Sequence, residues 1–261
     1  MADDRGLEPG LTALAETLST ALRTGRPVDL NPELTQLDDV QAYAIQWANI
    51  AARGGGVVGY KIGWADPAAR AAAGVPEPIF GRYQAEDLVP EGGTTRPEGL
   101  IRASVEGEFT VIVEREIGGA ALDAATVRAH CRLALGFDLF DSRLVGGAAN
   151  WQAAAADNCG AGRAVVGPPR IPLPTGEELA GLELTLTCDG RVVGSGTGRK
   201  IDDPAETVAW LARKLSEEGE SLHPGQFILL GAVAGPVPMG ERGSWEGRAL
   251  GLGSVRVQVV T

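Results

Sequence analysis

Residues 105–114 read VEGEFTVIVE, an alternation of polar and apolar residues that predicts a β-strand. Residues two apart in a strand point the same way, so Glu106 and Glu108 share one face. The opposite face is apolar and consists of Val105, Phe109, Val111 and Val113. A strand with one polar and one apolar face is typical of an antiparallel sheet.

The paired glutamates have two open explanations. In the first, they form the water-facing side of a half-buried strand. In the second, they bind one metal ion, because two carboxylates that face one point repel each other unless a cation or a proton lies between them. An all-oxygen ligand set favours Mg²⁺ or Mn²⁺ over zinc.

The segments before this strand predict a helical N-terminal region. Leucines recur every three or four residues over 7–22, and a second helix is expected from Asp38 or Asp39 to Arg53. Short apolar runs separated by glycine and proline follow the GGG at 54–56, which is typical of strands and turns. We therefore expect an α+β fold, with a helical region over 1–56 and a second domain over 57–261.

Downstream segments extend the same fold. The sequence predicts a helix over 123–134, followed by a strand in FDLFDSRLV at 137–145. A hairpin is expected at the Asp189-Gly190 turn, because this dipeptide suits a two-residue connection. The clearest helix covers 204–217 and ends before Gly219.

Charge and composition limit the function classes. The net charge of −11 disfavours nucleic-acid and membrane partners, since both are anionic. The N-terminus lacks the pattern of a signal peptide and no apolar run is long enough to span a bilayer, so a cytoplasmic location is expected. Neither a disulfide framework nor a zinc site is expected from the scattered cysteines and histidines, which are Cys131, Cys159, Cys188, His130 and His223.

A glycine motif in the first part of the chain is rejected as a nucleotide site. Gly54, Gly56 and Gly59 satisfy GxGxxG. The dinucleotide fingerprint needs a strand before it and a helix after it. Here a helix is expected before the motif and a strand after it.

Lys61 lies in VVGYKIGW, among glycines and apolar residues. One explanation is an edge-strand lysine whose ammonium group extends to water. The other is a partly desolvated lysine that acts as a base or binds an anion near a reacting centre.

Acidic residues further along have simple structural explanations as well. A strand would place Asp138 on the face opposite Asp141 and Arg143, where an ion pair at a strand end is expected. Asp157 begins the turn-like DNCGAG, which turn chemistry alone explains.

Several segments, taken in order, resemble the 2-keto-4-pentenoate hydratase and 4-oxalocrotonate decarboxylase branch of the fumarylacetoacetate-hydrolase superfamily. The resemblance extends from about Leu37 to the C-terminus and rests on LDDVQAYAIQ, GYKIGW, AAGVPEPIFG, VEGEF, FDLFDSR, ADNCGAG, DDPAETVAWLARKL, GQFILLGAV and GLGSVRV. It implies a mixed, mostly antiparallel β-sheet roll of the fumarylacetoacetate-hydrolase type, with 57–261 as the catalytic domain.

The resemblance also implies site residues. The metal ligands fall on Glu106, Glu108 and Asp138, the last in place of the usual glutamate, and the bound ion would be Mg²⁺ or Mn²⁺. The catalytic lysine falls on Lys61. The substrate-binding positions fall on Ile79, Phe80, Asp157, Gly160 and Ala234.

The implied function is that of a metal-dependent lyase. It would hydrate or decarboxylate a small-molecule 2-keto acid or its enol, and it would act as a homo-oligomer. The alternative is a diverged member that performs an isomerisation, a cyclisation or a C–C cleavage, or a binding protein that has lost the metal site.

Besides Asp138, some of the substrate-binding positions differ from one or both branches of the family. The PIFG segment with Ile79 is more similar to the decarboxylase sequences, since the hydratases usually carry an aspartate at the position of Ile79. Gly160 or Ala161, and also Ala234, stand where the family usually has hydroxyl side chains, which predicts a site with room for a larger substrate. The alternative is that neighbouring side chains fill the space.

Overall fold

The computed structural model describes residues 7–119 and 122–261. Its helices are α1 Pro9–Thr24, α2 Asn31–Leu34, α3 Asp39–Ala52, α4 Pro67–Ala73, α5 Ala124–His130, α6 Trp151–Ala156, α7 Gly176–Ala180 and α8 Pro204–Glu217. Its strands are β1 Val57–Gly63, β2 Ile79–Gln84, β3 Leu88–Val89, β4 Thr94–Thr95, β5 Ser104–Val113, β6 Cys131–Phe140, β7 Ala161–Val166, β8 Ile171–Pro172, β9 Glu183–Cys188, β10 Arg191–Thr197, β11 Phe227–Pro238, β12 Gly243–Ala249 and β13 Gly253–Val259. Short 3₁₀ turns occupy Ala85–Asp87, Asn158–Gly160 and Gly198–Lys200.

Local sequence signals set the ends of the long helices. The Asp38 carboxylate accepts a hydrogen bond from the backbone amide of Gln41. The Gln41 side-chain oxygen accepts one from the backbone amide of Asp38, so a capping box begins α3. Asp203 caps α8, whose first residue is Pro204. The predicted helices over 38–53 and 204–217 are confirmed. Within 7–119 and 122–261, no helix is both long and apolar enough to cross a bilayer.

Two sheets form the body of the protein. The larger has the strand order β2-β1-β11-β5-β6-β7-β3, with β8 beside β6, and the smaller has the order β10-β9-β12-β13-β4. Pairing is parallel between β1 and β11, β3 and β7, and β13 and β4, and antiparallel elsewhere. The predicted α+β class, with a helical N-terminal part and a mixed, mostly antiparallel sheet, is confirmed.

The helix predicted over 123–134 was too long. α5 ends at His130, and β6 begins at Cys131 and ends at Phe140, before the predicted strand end at 145. All ten residues of β6 pair with β5, from Cys131 opposite Val113 to Phe140 opposite Ser104. This non-local pairing outweighs the local helical preference of the segment.

The N-terminal helices pack against the chain that leads to the candidate site. Leu18 and Ile45 share a buried apolar cluster with Leu144 and Ala153. The buried Gln46 amide donates to the carbonyls of Phe80 and Ala155, at 3.0 and 2.7 Å. These bonds fix β2 and α6 relative to α3.

The rejected glycine motif has the context that the sequence predicts. α3 ends at Ala52, ahead of Gly54, and Gly59 lies inside β1. A helix therefore precedes the motif and a strand follows it, the reverse of a dinucleotide-binding turn.

Candidate active site

Three carboxylates converge between β5 and β6. Glu106 and Glu108 lie two apart on β5, and Asp138 on β6 is paired directly with Glu106. One oxygen from each carboxylate lies within 4.8 Å of the other two. Glu108 and Asp138 are buried, so the explanation of a polar face in water does not describe this cluster.

A bulge in β11 provides a donor for Glu108. The pairing with β5 is irregular between Leu229 and Ala232, and Gly231 between them has a φ of 112°. The Gly231 amide donates to Glu108 Oε2 at 2.7 Å. A Cβ at Gly231 would lie 2.5 Å from the Ala65 Cβ, so glycine is required both for the backbone conformation and for the close approach.

Lys61 is a buried member of the same cluster. β1 lies between β2 and β11, so it is not an edge strand, and Lys61 is only 4% exposed. Its ammonium group forms a short ion pair with Asp138 Oδ2. The Tyr83 hydroxyl donates to Asp138 Oδ1 at 2.6 Å. The explanation of an edge-strand lysine that extends to water is therefore wrong.

The charges of this cluster perturb one another. Burial raises the pKa of Glu106 to about 7, with Lys61 acting in the opposite direction. Burial and then the charge of Asp138 raise the pKa of Glu108 well above its ordinary value. Burial by itself lowers the pKa of Lys61, but the neighbouring carboxylates, Asp138 first, outweigh it and raise that pKa. The cluster holds more negative charge than one ammonium group can balance.

A cavity of about 390 Å³ opens onto these groups. This volume suits a small organic ligand. Of the residues expected at the site, the cavity is lined by Lys61, Glu106, Glu108, Ile79, Asp157 and Gly160. Asp138 is fully buried and is not among the lining residues, so it acts on the cavity through Lys61.

Phe80 and Ala234 do not line this cavity, which corrects their expected position at the substrate. Phe80 is buried and stacks on Tyr43, with ring centroids 4.7 Å apart. Ala234 is fully buried and paired with Gly107. Both side chains belong to the core.

Asp157 has a structural ion pair beyond the turn that the sequence predicts. Its carboxylate accepts from Arg143 Nε at 2.6 Å and from the Ser142 hydroxyl at 2.7 Å. Arg143 and Asp157 are both buried. This pair holds the segment after β6 against the 3₁₀ turn Asn158–Gly160.

The space expected at Gly160 is already filled. Gly160 has a φ of 65°, and a Cβ there would lie 2.2 Å from the Phe140 ring. The same ring lies 4.9 Å from Lys61 Nζ, measured to the ring centroid, and lines the cavity. The absence of a side chain at Gly160 therefore makes room for Phe140, and the argument for a larger substrate loses this support.

Gly160→Ala is expected to destabilise the protein by about 3 kcal/mol, since it combines left-handed backbone strain with a clash. Gly147→Ala is the matched control, because Gly147 has a φ of 84° and no neighbour within 4 Å. It isolates the backbone term of about 1–2 kcal/mol. Urea unfolding of both variants measures the difference. Equal losses in the two variants would show that Phe140 moves away without cost.

Comparison with known proteins identifies the family. The family described as "Fumarylacetoacetate (FAA) hydrolase C-terminal" matches residues 58–260. The chain belongs to the fumarylacetoacetate hydrolase family. Among its relatives, a 2-keto-4-pentenoate hydratase of Paraburkholderia phymatum is 30% identical over 98% of each chain. A 4-oxalocrotonate decarboxylase of a Pseudomonas species is 30% identical over 88% of this chain and 87% of that relative.

Solved structures of this family agree with the fold. The 4-oxalocrotonate decarboxylase from Pseudomonas putida, complexed with magnesium and adipate, has a TM-score of 0.85 and 29% identity, over 97% of this chain and 99% of that chain. A second structure of that enzyme, complexed with calcium and acetate, has a TM-score of 0.83. The predicted family and the predicted fumarylacetoacetate-hydrolase type of roll are confirmed.

The carboxylate cluster fits the divalent cation expected for this family. All three side chains offer oxygen, which suits Mg²⁺ and Mn²⁺. Burial, together with the nearby charge of Asp138, raises the pKa values of Glu106 and Glu108, and a bound cation would relieve both effects. Asp138 has both oxygens in contact with other side chains, which leaves the two glutamates as the better-placed ligands.

Mg²⁺ binding is expected to strengthen by at least about tenfold between pH 6 and pH 8, because the ion competes with the proton on Glu106. The folded pKa of about 7 lies above the unfolded value of roughly 4.3. The metal-free protein therefore loses stability as the pH rises between these two values, and the loss is complete above pH 7. Isothermal titration calorimetry at both pH values is the measurement. The same affinity at pH 6 and pH 8 would contradict the shifted pKa.

Sequence reasoning did not predict several lining residues of this family member. Lys200 reaches the cavity from the 3₁₀ turn Gly198–Lys200, and Phe140 from the end of β6. Trp64, with a φ of 54°, lines it just after β1. The one available signal was the glycine-rich GSGTG before Lys200, since glycines mark a close approach of backbones.

Proposed function

We propose that this protein is a divalent-metal-dependent lyase that hydrates or decarboxylates a small 2-keto acid or its enol. One observation carries the proposal: Glu106, Glu108 and Asp138 converge within 4.8 Å beside Lys61 at a ligand-sized cavity. The names of relatives at 30% identity, hydratase and decarboxylase, agree with it. Both reactions belong to the lyases.

Glu106 and Glu108 would hold Mg²⁺ or Mn²⁺, with Asp138 beside them. When bound, such an ion supplies Lewis-acid stabilisation of the negative charge that develops on the keto oxygen of a 2-keto acid. The Gly231 amide fixes Glu108 through its 2.7 Å hydrogen bond, so this carboxylate is oriented before any ligand arrives.

Lys61 would serve the substrate as a cation and a proton donor. Its raised pKa keeps the ammonium form at neutral pH, so Lys61 begins the reaction charged. In that state it can bind the substrate carboxylate or deliver a proton to the carbon chain. Asp138 and Tyr83 are positioning residues, since they hold the ammonium group from behind.

Ile79, Phe140 and Gly160 form walls of the cavity, and we propose that they orient the carbon chain of the substrate. Asp157 contributes to the wall through its ion pair with Arg143, not as a free carboxylate. Phe80 and Ala234 support the site from the core.

Steady-state assays test the function. With Mg²⁺ present, we expect the protein to turn over 2-hydroxypenta-2,4-dienoate or 4-oxalocrotonate with a kcat/KM of about 10⁴ M⁻¹s⁻¹ or more. Chelation of the metal should abolish the rate, and added Mg²⁺ should restore it. No metal-dependent turnover of either compound would contradict the proposal. The intact carboxylate cluster counts against a binding protein that has lost its metal site.

We further propose that 57–261 is the catalytic domain, that 1–56 is a helical supporting region, and that the protein is a cytoplasmic homo-oligomer. The support for the domains is that every residue lining the cavity falls within 61–232. The support for assembly and location is the family resemblance. Light scattering after size-exclusion chromatography measures the subunit number, and a monomer at micromolar concentration would contradict assembly.

A further inference from the structure

Lys200 is a cation at the cavity, and it has no strong partner among the residues that the structure describes. It lines the cavity together with Lys61, Glu106 and Glu108. Its Nζ donates one long hydrogen bond, of 3.5 Å, to the Val233 carbonyl. No ion pair among residues 7–119 and 122–261 includes it. A lysine so placed is available to an incoming anion.

The backbone that carries Lys200 is held firmly. A Cβ at Gly196 would lie 1.7 Å from the Val233 carbonyl oxygen, and one at Gly198 would lie 2.2 Å from that of Leu179. These two glycines therefore let the chain pack directly on neighbouring backbone. After Lys200, Ile201 is buried and Asp202 pairs with Arg70 of α4 at 2.7 Å. These contacts fix the position of the Lys200 backbone relative to the cavity.

The other charged groups of the cavity already have partners. Lys61 pairs with Asp138, and Asp157 pairs with Arg143. The Asp66 carboxylate accepts hydrogen bonds from the amides of Ala68 and Ala69 at the start of α4. The remaining carboxylates, Glu106 and Glu108, would carry two negative charges with a divalent cation bound, and that cation would balance them. Among the described residues that line the cavity, Lys200 is the cation left for the substrate.

We propose that Lys200 binds a second anionic group of the substrate, at the end remote from the 2-keto acid. The protein then selects 2-keto acids that carry a second carboxylate over otherwise identical monoacids. This inference rests on the proposed function, because the keto-acid end must be bound at the carboxylate cluster for the remote end to face Lys200.

The test compares two ligands of equal chain length, 2-oxoadipate and 2-oxohexanoate, which differ only in the terminal carboxylate. Calorimetry with saturating Mg²⁺ is expected to give the dicarboxylate an advantage of about fivefold, or about 1 kcal/mol, the upper end for ion pairs at an exposed site. Lys200→Met is expected to remove that advantage and to leave 2-oxohexanoate binding unchanged. Arg199→Met is the matched control, since this neighbouring exposed cation does not line the cavity. It should keep the full preference.

The preference should also shrink at high ionic strength in the native protein, because salt screens an exposed pair. Two results would overturn the role of Lys200 and leave the proposed function standing. One is Mg²⁺-dependent binding of both ligands with equal affinity, and the other is a preference for the dicarboxylate that survives in Lys200→Met. An equal loss of preference in Arg199→Met and Lys200→Met would also overturn the role of Lys200, because the effect would then come from the overall positive charge near the cavity. A lack of Mg²⁺-dependent binding for both ligands would overturn the proposed function and this inference with it.

Discussion

The double variant Glu106→Gln/Glu108→Gln is expected to show no Mg²⁺-dependent stabilisation and no measurable turnover. In the native protein, Mg²⁺ at about 100 times its Kd should add about 2.7 kcal/mol, since it binds only the folded state. For a chain of this size, each kcal/mol of added stability raises the Tm by roughly 2–4 °C. Neutral amide oxygens lack the two negative charges that balance a divalent cation, so the variant site should bind Mg²⁺ far more weakly.

The same variant is expected to be at least as stable as the native protein without metal, because it removes two carboxyl groups whose pKa values burial raises. Glu114→Gln/Glu116→Gln is the matched control, with exposed glutamates two apart just after β5. It should keep the full Mg²⁺ shift. Differential scanning calorimetry with and without Mg²⁺ measures both. A Mg²⁺ shift of native size in Glu106→Gln/Glu108→Gln would place the metal elsewhere.

Lys61→Met is expected to lower turnover by at least about 100-fold, the usual contribution of a positioned proton donor. It is also expected to destabilise the metal-free protein by about 3–5 kcal/mol, because it leaves the fully buried Asp138 without its cation. Steady-state kinetics and urea unfolding measure the two effects.

A second variant separates stability from chemistry. Lys61→Met/Asp138→Asn removes both charges and should recover most of the stability without recovering turnover. Lys214→Met is the surface control, because its ion pair with Glu77 is partly exposed to solvent and worth at most about 1 kcal/mol. Turnover of Lys61→Met within a few-fold of native would remove Lys61 from the chemistry, whatever its effect on folding.

The alternation of side chains along a strand explains why Phe80 does not lie at the cavity. The family resemblance placed both Ile79 and Phe80 at the substrate. They are neighbours on β2, and neighbouring side chains of a strand point to opposite faces. Ile79 lines the cavity and Phe80 packs in the core. Strand geometry alone allows only one of the two positions.

Ala234 illustrates a different limit. β11 contains register shifts between Leu229 and Ala232 and again between Ala232 and Ala234. Ala232 lines the cavity, whereas Ala234 is buried against β5. A bulge changes which residues face the site, and its position depends on the partner strand, so an alternating pattern cannot predict it.

The sequence by itself determined the elements with strong local signals. The Asp189-Gly190 turn, the capped helix at 204–217 and the shared face of Glu106 and Glu108 follow from backbone preferences and strand periodicity. Only the tertiary structure decided that β6 replaces the end of a predicted helix, that Lys61 is buried against Asp138, and that Lys200 reaches the cavity. These three features arise from pairing and packing between residues distant in the chain, which local preference does not encode.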